Sequence, residues 1–280
     1  MIRTIKAIIK KIISFTACIV FKTKVGKVVS ESFIKLSMND AKEIDYKGIK
    51  FKFITPNSIN RFRIDTFATK EPETLEWIDN FKKNTVFWDI GANIGLYSCY
   101  AAKVNSCKVF AFEPSIFNLE LLGRNIFLNK LVDKIIIIPI PLNDKLLENT
   151  LNMSSTEWGG SQSTFAQDYT YDGSNLIKNF EFKTVGVSMD EAISLFQLSS
   201  PDYIKIDVDG IEHLILKGGI NTLKNVKSLL VEVDEKFEIQ KTNTAEYLKK
   251  SGFVLKDKKH SKLFDGSKYE SCFNQIWNKN

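Results

Sequence analysis

A glycine loop and a set of strand-end carboxylates carry the chemistry legible in this chain. Phe87-Trp-Asp89-Ile-Gly91-Ala-Asn93-Ile-Gly95 ends an apolar run in an acid and follows it with two glycines four residues apart. Glycine permits a tight turn and lets a ligand approach the backbone. The next run, Leu96 to Val104, reads as a helix, and a helix start is electropositive and suits a carboxylate. Asp89 suits a positive group on the same ligand. The pattern D-x-G-x-x-x-G differs from the G-x-G-x-x-G that cradles a pyrophosphate, and no Lys-Ser or Lys-Thr follows it as in a P-loop. A ligand with a carboxylate, an ammonium and a sulfonium fits this loop. A plain strand-to-helix turn uses the same residue types, so the loop alone leaves both readings open.

A second signal narrows the ligand. Val109-Phe-Ala-Phe-Glu113-Pro114 is a strand ending in an acid, 24 residues after Asp89. An acid at the end of a second strand, about 20 residues on, is placed to accept both ribose hydroxyls. Together the signals point to a nucleoside ligand without a pyrophosphate. The third cluster is Lys205-Ile-Asp207-Val-Asp209-Gly210-Ile-Glu212-His213. Strand alternation puts Lys205, Asp207 and Asp209 on one side.

DIGANIGLYSCYAA, VFAFEPSIFNLELLGRNIFLN and YIKIDVDGIEHLILKGG resemble the FkbM family of S-adenosylmethionine-dependent methyltransferases, from about Phe67 to about Val233. The resemblance implies a Rossmann-like, class I methyltransferase fold: α/β, with a seven-stranded, mostly parallel sheet and helices on both faces. It implies methyl transfer from S-adenosylmethionine, usually to a hydroxyl oxygen. Asp89, Gly91, Asn93 and Gly95 would surround the methionine part, Glu113 would hold the ribose, and Ser115 would reach the adenosine. Asn143 and Asp144, after the third strand, would contact the adenine. The fourth-strand motif is commonly D-V-E-G; here Asp209 replaces the Glu and is one methylene shorter.

Methyl transfer is an in-line displacement, so alignment of acceptor, methyl and sulfur is the main requirement. An alcohol acceptor also needs a base. Asp207, Asp209 and His213 are the candidates, and a neutral imidazole has the most suitable pKa. His213 also reads as a helix-surface residue. Asp207-Val-Asp209 matches, in addition, the D-x-D metal-diphosphate grip of a glycosyltransferase. That alternative leaves the glycine loop and Glu113 without a role. Glu232 and Asp234 could complete a magnesium site, but no metal is assigned. A cofactor-binding relative without turnover is the remaining alternative.

The elements that must hold these residues alternate. Strands are expected at Val86–Ile90, Lys108–Phe112, Ile135–Ile140, Tyr203–Val208 and Ser228–Val233, with closing strands near Val254 and over Phe273–Trp277. Helices are expected at Leu96–Val104, Phe117–Leu128, Glu212–Leu216 and Thr244–Ser251. β-α-β alternation argues a parallel sheet with ligands at the strands' carboxyl ends. Ile49–Ile54 alternates as a half-buried strand, Pro56-Asn57-Ser58 as a turn, and Glu71–Phe81 as a helix over the sheet edge, where Glu71 and Trp77 either line the pocket or pack in the core. Met153 to Asn179 breaks the rhythm and reads as a long loop. With Trp158, Gly159, Gly160, Ser161, Gln162, Tyr169 and Tyr171 it is the candidate acceptor lid, suited to a sugar ring.

Residues 1–35 read as a basic amphipathic extension, 36–84 as a strand and helix cover, and 85–280 as the catalytic domain. Ile5, Ile8, Ile9, Ile12 and Ile13 recur at helical spacing, with Arg3, Lys6 and Lys10 on another face. A helix in a membrane interface and a helix packed on the protein's own body both fit. The apolar run is half of what a span requires. The chain of 280 residues carries net +6, and residues 1–24 alone hold six cations and no acid. A nucleic-acid footprint is therefore not expected. Four scattered cysteines and two histidines exclude a disulfide framework and a three-His zinc site. The expected protein is a cytoplasmic O-methyltransferase acting on a sugar, glycolipid or other secondary metabolite, with peripheral contact at the inner membrane surface through residues 1–21 as one of the two readings of that segment. Its oligomeric state is not legible.

Overall fold

The computed structural model describes residues 2–279, with side chains from Ile8 onward, Lys10 excepted. Two helices, α1 (Ile2–Val20) and α2 (Lys24–Ser37), precede a hairpin of β1 (Ala41–Tyr46) and β2 (Ile49–Ile54). Helices α3 (Ser58–Asp65) and α4 (Pro72–Asp79) lead into β3 (Val86–Ile90). There follow α5 (Leu96–Asn105), β4 (Lys108–Phe112), α6 (Ile116–Leu128) and β5 (Ile135–Ile138). Next come β6 (Leu147–Met153), β7 (Ser163–Phe165), β8 (Phe180–Gly186), α7 (Met189–Phe196) and β9 (Tyr203–Ile206). The chain closes with α8 (Glu212–Lys217), β10 (Ser228–Asp234), α9 (Glu238–Lys250), β11 (Phe253–Lys259) and β12 (Cys272–Lys279).

The main sheet has seven strands in the order β11-β12-β10-β9-β3-β4-β5, with β12 antiparallel to both neighbours and the rest of the sheet parallel. Its parallel strands are short and apolar because both faces are covered. Period-two alternation divides their side chains. Phe87, Val109, Ala111 and Leu230 pack with α4, α5 and α6, while Trp88, Phe110, Ile204 and Val231 pack with α7, α8 and α9. The order reverses between β3 and β9, the switch point at which open α/β sheets bind ligands.

Three features depart from the expectations. Pro56-Asn57-Ser58 is no mere turn: Asn57 caps α3, its side chain accepting from the Asn60 amide. The long-loop reading of Met153–Asn179 is interrupted at Ser163–Phe165 by β7, the edge strand of a three-stranded antiparallel sheet in the order β7-β6-β8. Helix α7, absent from the sequence reading, begins at a capping box between Ser188 and Glu191. Trp77 lies in the core, its indole donating to Ser228 Oγ at 2.8 Å.

Candidate active site

A cavity of about 280 Å³ opens at the carboxyl ends of β3, β4 and β9. Gly91, Asn93, Glu113 and Pro114 line one part of it. Lys70, Asp207, Asp209, Glu232, Phe264 and Tyr269 line another. The loop residues Gly160 and Ser161, with Tyr171, lie on the wall beside Arg63 of α3.

Asp89 pairs across the strands with Lys205. One carboxylate oxygen accepts from Ser98 Oγ at 2.5 Å, while Oδ1 is buried without a partner. Burial raises its pKa. Gly91 has φ +84, and a Cβ there would lie 1.8 Å from the Asp207 carbonyl oxygen. Glycine is therefore what lets the backbones after β3 and β9 approach so closely at the switch point. Gly95, at φ +84, starts α5, and a Cβ there would meet Leu122; it shapes the helix start and is not part of the wall.

Glu113 is buried, with Oε2 accepting from the Asn93 amide at 2.7 Å and Oε1 from the Ser115 amide at 2.8 Å. Burial pushes its pKa up to about 7, against the pull of those amides. Oε1 also accepts from Asn118 Nδ2 at 3.5 Å, so Oε2 keeps the greater accepting capacity. The buried Ser115 Oγ has no partner. Of Asp89, Glu113 and Ser115 only Glu113 is on the cavity wall, where its accepting capacity fits a ribose; Asp89 and Ser115, each 1% exposed, lie behind the wall.

The loop carrying the second group of acids is itself held from below. Glu212 accepts from the Val208 and Gly210 amides at 3.0 Å. Gly210, at φ +120, lies against Thr170, where a Cβ would sit 2.7 Å from the carbonyl oxygen. Lys205, 1% exposed, donates to Asp207 at 2.6 Å. Burial opposes the charge on Asp207, but the neighbouring Lys205 and Lys70 outweigh it and hold the carboxyl below its usual range. Asp209 takes a left-handed turn at φ +62, so the strand alternation ends before it. Its Oδ2 accepts from the Gln162 amide at 2.6 Å, and burial beside Asp207 raises its pKa to about 6. Glu232 is raised well above its ordinary value by burial, then by the acids facing it.

The structure separates the remaining sequence candidates. His213 is buried at the start of α8, neither on the surface nor on the cavity wall. Its ring meets Phe237 edge to face, and burial lowers its pKa to about 4. Asn143 donates toward Phe165 O, and Asp144 pairs with Lys217 at 2.8 Å. The wall at that point is built from Ile140, Pro141 and Leu142 instead, so an adenine there would meet apolar side chains. Asp234 accepts from Ser271 Oγ at 2.8 Å and does not reach the cavity beside Glu232. Among the described residues no group of three or more His, Cys, Asp or Glu is placed to hold a metal.

Sequence reading missed the groups that fasten the loop over the cavity. Asn93 and Asn118 donate to Gly160 O at 2.9 and 3.1 Å. Arg63 donates to Gly159 O at 2.8 Å, and Asn57 and Asn60 donate to Trp158 O. Lys70 pairs with the buried Glu71, which also accepts from Tyr97 Oη at 2.8 Å.

The sequence profile of the methyltransferase FkbM domain matches residues 89–255, more than half of the chain. The chain belongs to the FkbM methyltransferase family. The hexuronic acid methyltransferase AglP of Haloferax volcanii is 26% identical over 193 residues, covering 68% of this chain and 72% of that protein. Methyltransferase FkbM from Methylobacillus flagellatus KT aligns with TM-score 0.49 and 14% identity over 92% of this chain and 60% of that one. M. jannaschii TYW2 in complex with AdoMet aligns at 0.43 and 16%, over 86% and 87%. This FkbM methyltransferase is an enzyme that uses S-adenosylmethionine. The D-x-D glycosyltransferase alternative is not favoured, since both the family and the relative are methyltransferases.

Replacing Glu113 by Ala should weaken S-adenosylmethionine binding by roughly 1–3 kcal/mol, because buried hydroxyl donors lose their acceptor. Calorimetric titration of folded variant and parent checks this. Equal affinity would show that the ribose is held elsewhere.

Proposed function

We propose that this enzyme methylates a hydroxyl oxygen of a saccharide, with a hexuronic acid as the leading acceptor class. The observation that carries the proposal is the pair of carboxylates, Asp207 and Asp209, on the same cavity wall as Gly91 and Glu113. The relative named as a hexuronic acid methyltransferase supports the acceptor class.

S-adenosylmethionine supplies an electrophilic methyl group on a sulfonium whose departure as a thioether needs no protonation. The protein's share is then binding, alignment and removal of one proton. Asn93 and the Gly91 backbone lie against the methionine end, Asp89 supports them from behind the wall, and Glu113 accepts from the ribose. Asp209, raised to about 6, is ionised at pH 7 yet close enough to that pH to accept the acceptor's proton. Asp207 is a weaker base, locked to Lys205 and suited to orienting a hydroxyl. Glu232, whose carboxyl burial pushes well above its ordinary value, lies on the same wall to meet the acceptor. Tyr171, Tyr269 and Phe264 offer ring faces for a sugar.

The test is incubation of the full chain and S-adenosylmethionine with glucuronide, galacturonide, glucoside and galactoside acceptors, followed by mass spectrometry and mild alkali. The proposal expects a base-stable methyl ether, formed best on the uronides. A base-labile methyl ester would contradict it, because methylation of a carboxylate leaves the proton acceptor without a task. The same reading includes peripheral membrane contact through residues 1–21, a segment with no acid. Among the described residues no helix is long and apolar enough to cross a membrane.

A further inference from the structure

We propose that α1 and α2 together form a two-helix anchor that lies in the interface of a bilayer carrying anionic lipid. This deepens the peripheral contact assigned above to residues 1–21 and rests on it, adding the second helix and the charge of the lipid.

On α1, Ile8, Ile12, Phe15 and Ile19 recur at intervals of four, three and four, so they share one face, and they are 53–70% exposed. On α2, Val25, Val28, Val29, Phe33 and Leu36 form a second face at 38–74% exposure. Lys24, Lys27 and Lys35 lie on its other side. A helix packed on the protein's own body would bury such a face, and neither is buried. Among the described residues of both helices only Gly26 is buried. It forms the elbow, where a Cβ would lie 1.9 Å from Val20 O. The C-terminal end of the pair is tied to the catalytic domain, since Arg124 of α6 donates to Met38 O at 3.3 Å.

Charge selects the occupant. Residues 1–37 hold eight Lys or Arg and one acid, Glu31, a net of +7 against +6 for the whole chain. A second copy of the chain would bring the same charge against itself. Anionic headgroups complement it and attract each nearby cation. Helices of this kind sink their apolar side chains to the acyl boundary while lysines extend to the headgroups.

The experiment is co-sedimentation of the full chain with vesicles of phosphatidylcholine alone and of phosphatidylcholine with phosphatidylserine, at low and high salt. The variants are Ile12→Ser with Phe15→Ser, Val28→Ser with Phe33→Ser, and Lys24→Gln with Lys27→Gln and Lys35→Gln. The proposal expects binding roughly tenfold tighter to the anionic vesicles, weakened by salt, and lowered roughly tenfold by each set of substitutions. S-adenosylmethionine affinity should stay unchanged, which shows that the variants are folded. Equal binding to both vesicles overturns the anionic anchor while leaving peripheral contact standing. Insensitivity to the α2 substitutions overturns the two-helix anchor. No binding to either vesicle overturns both. A chain that self-associates through these faces in sedimentation equilibrium, and ignores vesicles, gives the faces to a second copy and overturns the proposal.

Discussion

Asp209→Asn should lower turnover by roughly 10²–10⁴-fold, the usual contribution of a general base, while S-adenosylmethionine still binds. The substitution is well suited to isolate that role. Asp209 has φ +62, a conformation Asn tolerates better than most residues. Asn also keeps an oxygen to accept from the Gln162 amide, now made by Asp209 Oδ2 at 2.6 Å. What it loses is the ability to take a proton. The parent enzyme's kcat/KM should rise as pH rises through about 6, where Asp209 ionises, and the variant should lack that limb. The assay is transfer to the best acceptor, read by mass spectrometry across pH, with calorimetry as the binding control. Unchanged turnover would remove Asp209 from the chemistry and leave Asp207 to be tested in the same way.

Lys205→Met should cost about 3–5 kcal/mol of stability, the penalty for leaving a buried charge without its partner. Lys205 is fully enclosed and faces three acids, Asp207, Glu71 and Asp89, all of which raise its pKa. Its ammonium also lies 5.1 Å from the centre of the Tyr97 ring. Met fills the same volume, so packing loss is small and the charge effect dominates. In the parent, Asp207 has a lowered pKa. Its contribution is in place above the ordinary Asp range and is lost as pH falls through the lowered value. The deficit of the variant should therefore shrink in acid. Adding Asp207→Asn should restore part of the stability. Urea unfolding at neutral and acidic pH measures both, and a deficit that is constant with pH would assign the loss to packing.

The parallel strands were legible because burial on both faces makes each a short apolar run, as in Val86–Ile90 and Ile135–Ile138. The small sheet was not. Leu147-Glu-Asn-Thr-Leu-Asn-Met153 shows no clean alternation, and its buried Asn152 is held by donating to Gln167 O and Asp168 Oδ1. Asp89, Glu113 and Asp207 could be placed from sequence since each stands at or just beyond the end of a parallel strand. Asn118 and Arg63 could not, because what gathers them is the fold-back of the loop around Gly159 and Gly160. Asn143 was misplaced for a related reason. A bridge between Leu142 and Val187 turns the chain there, sending Asn143 toward Phe165 and leaving Leu142 on the wall. His213 is turned inward by α9, whose Gln240 binds Glu212 and whose preceding Phe237 covers the imidazole.

Isothermal titration of the full chain with S-adenosylmethionine and S-adenosylhomocysteine tests the central claim most directly. The geometry of Asp89, Gly91 and Glu113 predicts saturable binding of both, weakened in Glu113→Ala. Absence of binding by protein shown to be folded would contradict it.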